Sequence, residues 1–99
     1  MQRRYDRVVH QVSQFMPRAL AEVLRKAPLS PEKVDFAWRT AVGPAVANVT
    51  SVELKGHVLQ VHAKDATWRR EIERSVVVIR SRVNALLGDN TVRGLNVIL

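Results

Sequence analysis

The side chains best suited to acid–base or metal chemistry are few and scattered in this sequence. Histidine occurs at His10, His57 and His62, and none of the three stands in a metal-ligand motif. Cysteine is absent, which excludes a disulfide framework, a thiolate zinc site and a cysteine nucleophile together. The four glycines, Gly43, Gly56, Gly88 and Gly94, are too far apart to form a phosphate-cradling loop. Glu71 and Glu73 flank arginines on a helical stretch, where intrahelical ion pairs account for them. This inventory points to a binding domain rather than an enzyme, with no cofactor, no metal and no small-molecule substrate expected.

Charge is the chemistry present in abundance. Sixteen Lys and Arg face nine Asp and Glu, a formal +7, and twelve of the sixteen are arginine. Such a surplus attracts polyanions, nucleic acid first, and the planar guanidinium grips a phosphate or carboxylate through two hydrogen bonds. One concentration is the N-terminal run Arg3, Arg4 and Arg7. The other is Arg70 and Arg74, almost opposite the apolar stripe of a helical stretch, with Arg69, Arg80 and Arg82 on its flanks and Lys64 before it. Either group can track a phosphate backbone or simply form a solvated face. Val77 and Val78 fall off the core stripe of the same stretch, as a protein contact patch or a surface covered by the N-terminal helix would. Trp38 and Trp68 both lie on inward stripes, which favours packing. Trp68 also stands beside Arg69 and Arg70, where one ring edge is expected to stay accessible for a partner.

The elements that must position these residues follow from periodicity. Tyr5, Val8, Val9, Val12, Phe15 and Met16, then Leu20, Val23 and Leu24, recur at helical spacing, with Pro17 either kinking the run or opening a second helix. Pro28 ends that run. Ser30-Pro31 restarts a helix whose one face is Val34, Ala37, Trp38 and Ala41 and which stops at Gly43-Pro44; Phe36 points to the far side, either covered or exposed. Alternation then predicts a hairpin, with Val52 and Leu54, then Leu59, Val61 and Ala63, joined by a two-residue turn at Lys55-Gly56. That register places Val52 opposite Leu59 and leaves Glu53, Gln60 and His62 on the outer face.

Asp65 or Thr67 caps the longest predicted helix, which carries Trp68, Ile72, Val76, Ile79, Val83 and Leu86 on one face and runs unbroken to Leu87, roughly 30 Å. Gly88-Asp89-Asn90 ends it, and Val92 to Leu99 forms a last strand that the long crossover allows to lie parallel to its neighbour. The expected fold is α+β: N-terminal helices, a β-hairpin, a long helix and a C-terminal strand, giving a three-stranded sheet packed by helices. It is expected to be a single domain over 1–99, with 1–17 a basic N-terminal helix and 18–99 the core. No stretch approaches the roughly 20 apolar residues of a membrane span and no secretory signal is present, so a soluble, cytoplasmic protein is expected.

The run Val34-Asp35-Phe36-Ala37-Trp38-Arg39-Thr40-Ala41-Val42-Gly43-Pro44-Ala45-Val46-Ala47 carries more than periodicity. It resembles the signature of the DciA family: a Trp shortly before Val-Gly, a hairpin ending in an apolar strand, and a Trp opening the last helix. Here those places are Trp38, Val42-Gly43, Leu59 to Ala63, and Ala66-Thr67-Trp68, with Asn84, Leu87 and Gly88 where the family's helix closes. The match covers roughly residues 20–99. The resemblance implies a bacterial helper of the replicative helicase, a loader or operator without ATPase activity, on a KH-like domain that touches both the helicase and single-stranded or branched DNA.

On this reading Trp68, Val77 and Val78 meet the helicase, while Arg3, Arg4, Arg7, Lys64, Arg69, Arg70 and Arg74 hold nucleic acid. Many relatives carry a disordered basic extension beside this domain, so activities that need one are not expected of residues 1–99 alone. True KH domains clamp single strands with a Gly-x-x-Gly loop, and that spacing occurs nowhere here. Two other readings stay open: a KH-like RNA- or ribosome-associated module, and a protein scaffold whose charge serves only solubility.

Overall fold

The computed structural model describes residues 17–99. The helix expected at 1–17, with Arg3, Arg4, Arg7 and His10, lies outside the described residues but for its last position. Helix α1 (Arg18–Lys26) starts directly after Pro17, which stands at the N-cap, so that proline opens a helix. Helix α2 (Pro31–Val42) begins as expected: the Ser30 hydroxyl accepts from the Lys33 amide at 3.1 Å, Pro31 occupies the first turn, and Gly43 at φ 84° ends the helix. Val34, Ala37, Trp38 and Ala41 are all buried, and Phe36 is 44% exposed, which selects the exposed alternative for it. A single turn, α3 (Pro44–Ala47), leads to the sheet.

The sheet has the order β1 (Thr50–Lys55), β2 (Val58–Ala63), β3 (Gly94–Ile98). Strands β1 and β2 pair antiparallel, and β3 lies parallel to β2, as the long crossover predicts. The hairpin register departs from expectation. Leu54 pairs with Leu59 and Val52 with Val61, so the turn is Gly56-His57 and not Lys55-Gly56. Gly56 sits at φ 62° in the leading turn position. The expected turn would have put Lys55 there, where a side chain resists positive φ. Because the slip is two residues, every side chain keeps its face: Leu59, Val61, Ala63 and Val97 are buried with Val52, Leu54 and Leu95 packed against them, while Glu53 and His62 remain outside.

The crossover is also corrected. The predicted unbroken helix is two helices, α4 (Ala66–Arg74) and α5 (Val76–Leu87), separated by Ser75 at φ −112° and ψ 16°. The Ser75 amide bonds back to the Ile72 carbonyl, three residues away, so the ladder tightens and turns there. The two halves have different neighbours: α4 packs on β2 and β3, whereas α5 packs chiefly against α1 and α2. The apolar stripe stays in phase across the joint, which is why periodicity gives no warning of it. Ile72, Ile79, Val83 and Leu86 are buried, and Trp68 and Val76 are half-buried.

Side-chain bonds lock these layers. Trp38, 1% exposed, donates its indole N–H to Thr50 Oγ1 at 2.8 Å, and that hydroxyl donates to the Val46 carbonyl at 2.8 Å, tying α2, α3 and β1 together. Asn84 bonds both the amide and the carbonyl of Val92 at 2.9 Å, fixing the chain ahead of β3.

Candidate partner-binding groove and cationic face

Helix α4 starts at Asp65, whose carboxylate accepts from the Trp68 amide at 3.0 Å; of the two expected caps this is the one used. The cap places Trp68 in the first turn. From there it shares a side of α4 with Glu71, Ile72 and the joint at Ser75, at helical spacings of three and four. That side forms one wall of a groove of about 210 Å³. Ala41 and Val42 of α2 and Val46 of α3 form the other wall, and Ile79 and Arg82 of α5 close the end. The lining is mostly apolar with one charge of each sign, Glu71 and Arg82, as small recognition grooves tend to be. Because α4 and α5 meet at a bend instead of running straight, the groove lies at their junction.

The arginines divide by role. Arg82 donates from Nη1 to the Ala41 carbonyl at 3.1 Å, capping the C-terminal end of α2 across the groove, and Arg80 donates to the Arg93 carbonyl at 3.0 Å. Two of the three arginines expected on the flanks of the cationic face, Arg80 and Arg82, therefore hold backbone. Lys64 and Arg70 are exposed without a side-chain partner among the described residues, Arg69 is half-buried, and Arg74 is exposed at 3.3 Å from Glu71. By helical projection Arg70 and Arg74 lie on the side of α4 opposite Ile72, so one short helix presents a partly apolar side and a cationic side.

Val77 and Val78 differ in exposure. Val77, 68% exposed, is turned away from the core stripe of α5. Val78 is half-buried and lies three residues after Ser75 and four before Arg82 on α5, but does not itself line the groove. His57 is the second residue of the hairpin turn, with Nδ1 3.2 Å from the Thr91 carbonyl, and His62 faces outward from β2. Among the described residues no group of three or more His, Asp or Glu is placed to hold a metal ion, and no helix is long and apolar enough to cross a membrane.

Two features have no sequence forewarning. Lys33 is buried, 7% exposed, and its ammonium donates to the carbonyls of Arg25 at 3.1 Å and Ala27 at 2.7 Å, closing the C-terminal end of α1. Desolvation pulls its pKa below the ordinary 10.5. The groove itself is the other, since its walls come from residues 41–46 and 68–82 and meet only through the crossover.

A family model described as Dna[CI] antecedent, DciA, matches residues 11–97. No curated protein and no solved structure matches the chain.

Proposed function

Because the chain belongs to the DciA family, a family that loads the replicative helicase in DNA replication, we propose that it is a bacterial, non-enzymatic adaptor that docks the helicase in the groove beside Trp68 and holds single-stranded or branched DNA on the cationic side of α4. The observation that carries this reading is the convergence of Val42 and Trp68 on one groove. Those residues stand in the stretches that carry the family resemblance, yet they are 26 positions apart in the sequence. A half-buried tryptophan in a small apolar groove is the usual anchor of a protein interface. Val78, half-buried on α5, extends that contact beyond the groove, and Val77, exposed on the same helix, contributes if the helicase wraps around it.

Arg70 and Arg74 on the opposite side of α4, with Lys64 just before the helix and the half-buried Arg69 on its flank, offer phosphate contacts, joined by Arg3, Arg4 and Arg7. Such contacts hold a strand with weak sequence preference and strong salt dependence. The RNA-module alternative has less support, because the helices between β2 and β3 are joined by Ser75 alone, leaving no room for a Gly-x-x-Gly clamp. The work is placed in the cytoplasm, with the helicase and DNA.

Co-elution with a bacterial replicative helicase tests the docking half: a stable complex is expected at micromolar concentration, and its absence with both proteins folded would remove the reading. Titrating equal-length single-stranded DNA and RNA across salt tests the other half. Four phosphate contacts would give a slope of log K against log salt of about −3, and a flat response would remove nucleic acid from the account.

A further inference from the structure

The inner face of the sheet is covered unevenly. Leu59 and Val61 of β2 are fully buried, whereas Val52 and Leu54 of β1 are only half-buried. Beside them, between β1 and the start of α2, runs a second groove of about 320 Å³, lined by Leu29, Pro31, Val34, Val52 and Leu54 with Glu53 at its margin. Leu29 is 53% exposed. Strand β1 is an edge of the sheet, and no strand pairs with its outer side among the described residues. An unpaired backbone edge next to an apolar groove suits an added strand, whose main chain extends the ladder while alternate side chains fill the groove.

The edge also states which strand fits. On the outer face of β1, Glu53 and Lys55 carry opposite charges two residues apart, well exposed, with 3.8 Å between Nζ and Oε1. Two copies of β1 placed antiparallel about Leu54 set Glu53 of each opposite Lys55 of the other. On the inner face Leu54 then meets Leu54 of the second copy, and Val52 meets Gly56. Opposite charges directly across an antiparallel pair attract, and like charges repel. We propose that a second copy of this chain is the occupant: two molecules join β1 to β1 antiparallel, centred on Leu54, into a continuous six-stranded sheet that covers Leu29 and the half-buried face of β1. The formal +7 of each chain opposes approach, so the two crossed Glu53–Lys55 pairs and the leucine contact must hold the dimer locally. This inference is independent of the helicase and DNA assignments.

The test is light scattering on the whole chain from micromolar to millimolar concentration, with circular dichroism confirming that each variant folds. The wild type is expected to rise toward twice the single-chain mass. Lys55→Glu alone and Glu53→Lys alone are each expected to weaken self-association by about tenfold or more, because each sets like charges face to face twice. Mixed in equal amounts, the two variants are expected to associate again, since every facing pair is then opposite in sign. A wild type of single-chain mass throughout overturns the proposal, including the case in which the edge serves a strand of another protein. So does association that either single variant leaves intact, or a mixture that stays single.

Discussion

Helix α4 carries Arg69, Arg70 and Arg74 in nine residues, and α5 carries Arg80 and Arg82 in twelve. In the sequence they read as one cationic ridge. In the fold, the α5 pair reaches back to the carbonyls of Ala41 and Arg93 and stitches helices and strand together, while Arg70 projects into solvent and Arg74 meets only the neighbouring Glu71. The bend at Ser75 makes the difference, because it turns α5 in among the helices and leaves α4 on the sheet with an open flank. A guanidinium near a terminal carbonyl becomes structural and one facing water remains available, so counting charge along a helix overstates the surface a partner can use.

Substitutions can break this contrast or sharpen it. The largest expected effect is at Arg82: Arg82→Met removes a bond to a helix terminus 41 residues distant and should lower the unfolding free energy by about 2–3 kcal/mol in a urea titration. A cost as small as that of an exposed residue would mean that α5 is not stitched in this way. Lys33→Met leaves two carbonyls at the end of α1 without their donor but relieves the desolvation of a charge, so about 1–2 kcal/mol is expected.

The pH dependence of Lys33 has a definite sign. Its folded pKa lies below 10.5, so the unfolded chain binds the proton more tightly, and the burial penalty is full below the folded value. The penalty is relieved as pH climbs toward 10.5, where the wild type should gain stability relative to Lys33→Met. Asp65→Ala, which removes the cap that sets Trp68 in the first turn, should cost about 1 kcal/mol. Smallest of all, Arg70→Ala together with Arg74→Ala should shift stability by no more than about 0.5 kcal/mol. If the two arginines neutralise DNA phosphates, the same double substitution should flatten the salt slope by about 0.7 for each single-strand phosphate left without its guanidinium.

The sequence made the elements legible wherever a single period ran between clear stops. The Ser30-Pro31 start of α2, the inward set Val34, Ala37, Trp38 and Ala41, and the parallel return of β3 all follow from local pattern and chain length. The hairpin register failed by two residues because two adjacent turn placements preserve the same alternation, and only the φ required of Gly56 separates them. The break at Ser75 was hidden because the stripe keeps its phase through it. The burial of Lys33 was hidden for another reason: a lysine at the edge of an apolar stripe reads as reaching to solvent unless the end of α1 is known to lie within its reach. Of the candidate site, Trp68 and the α4 cations were visible as residues. Their division between two sides of one short helix follows from the spacing of Trp68 and Ile72 against Arg70 and Arg74, but the facing wall of Ala41, Val42 and Val46 needed the fold.

The central claim is that α4 serves two partners from two sides, and one paired binding measurement addresses it directly. Trp68→Ala and Arg70→Ala/Arg74→Ala are each titrated against the bacterial replicative helicase and against single-stranded DNA at fixed salt. The account predicts that Trp68→Ala loses at least about 2 kcal/mol of helicase binding, roughly thirtyfold, and keeps its DNA affinity, with the arginine variant behaving the opposite way. Variants that weaken the same ligand, or a Trp68→Ala protein that binds the helicase like the wild type, would contradict it.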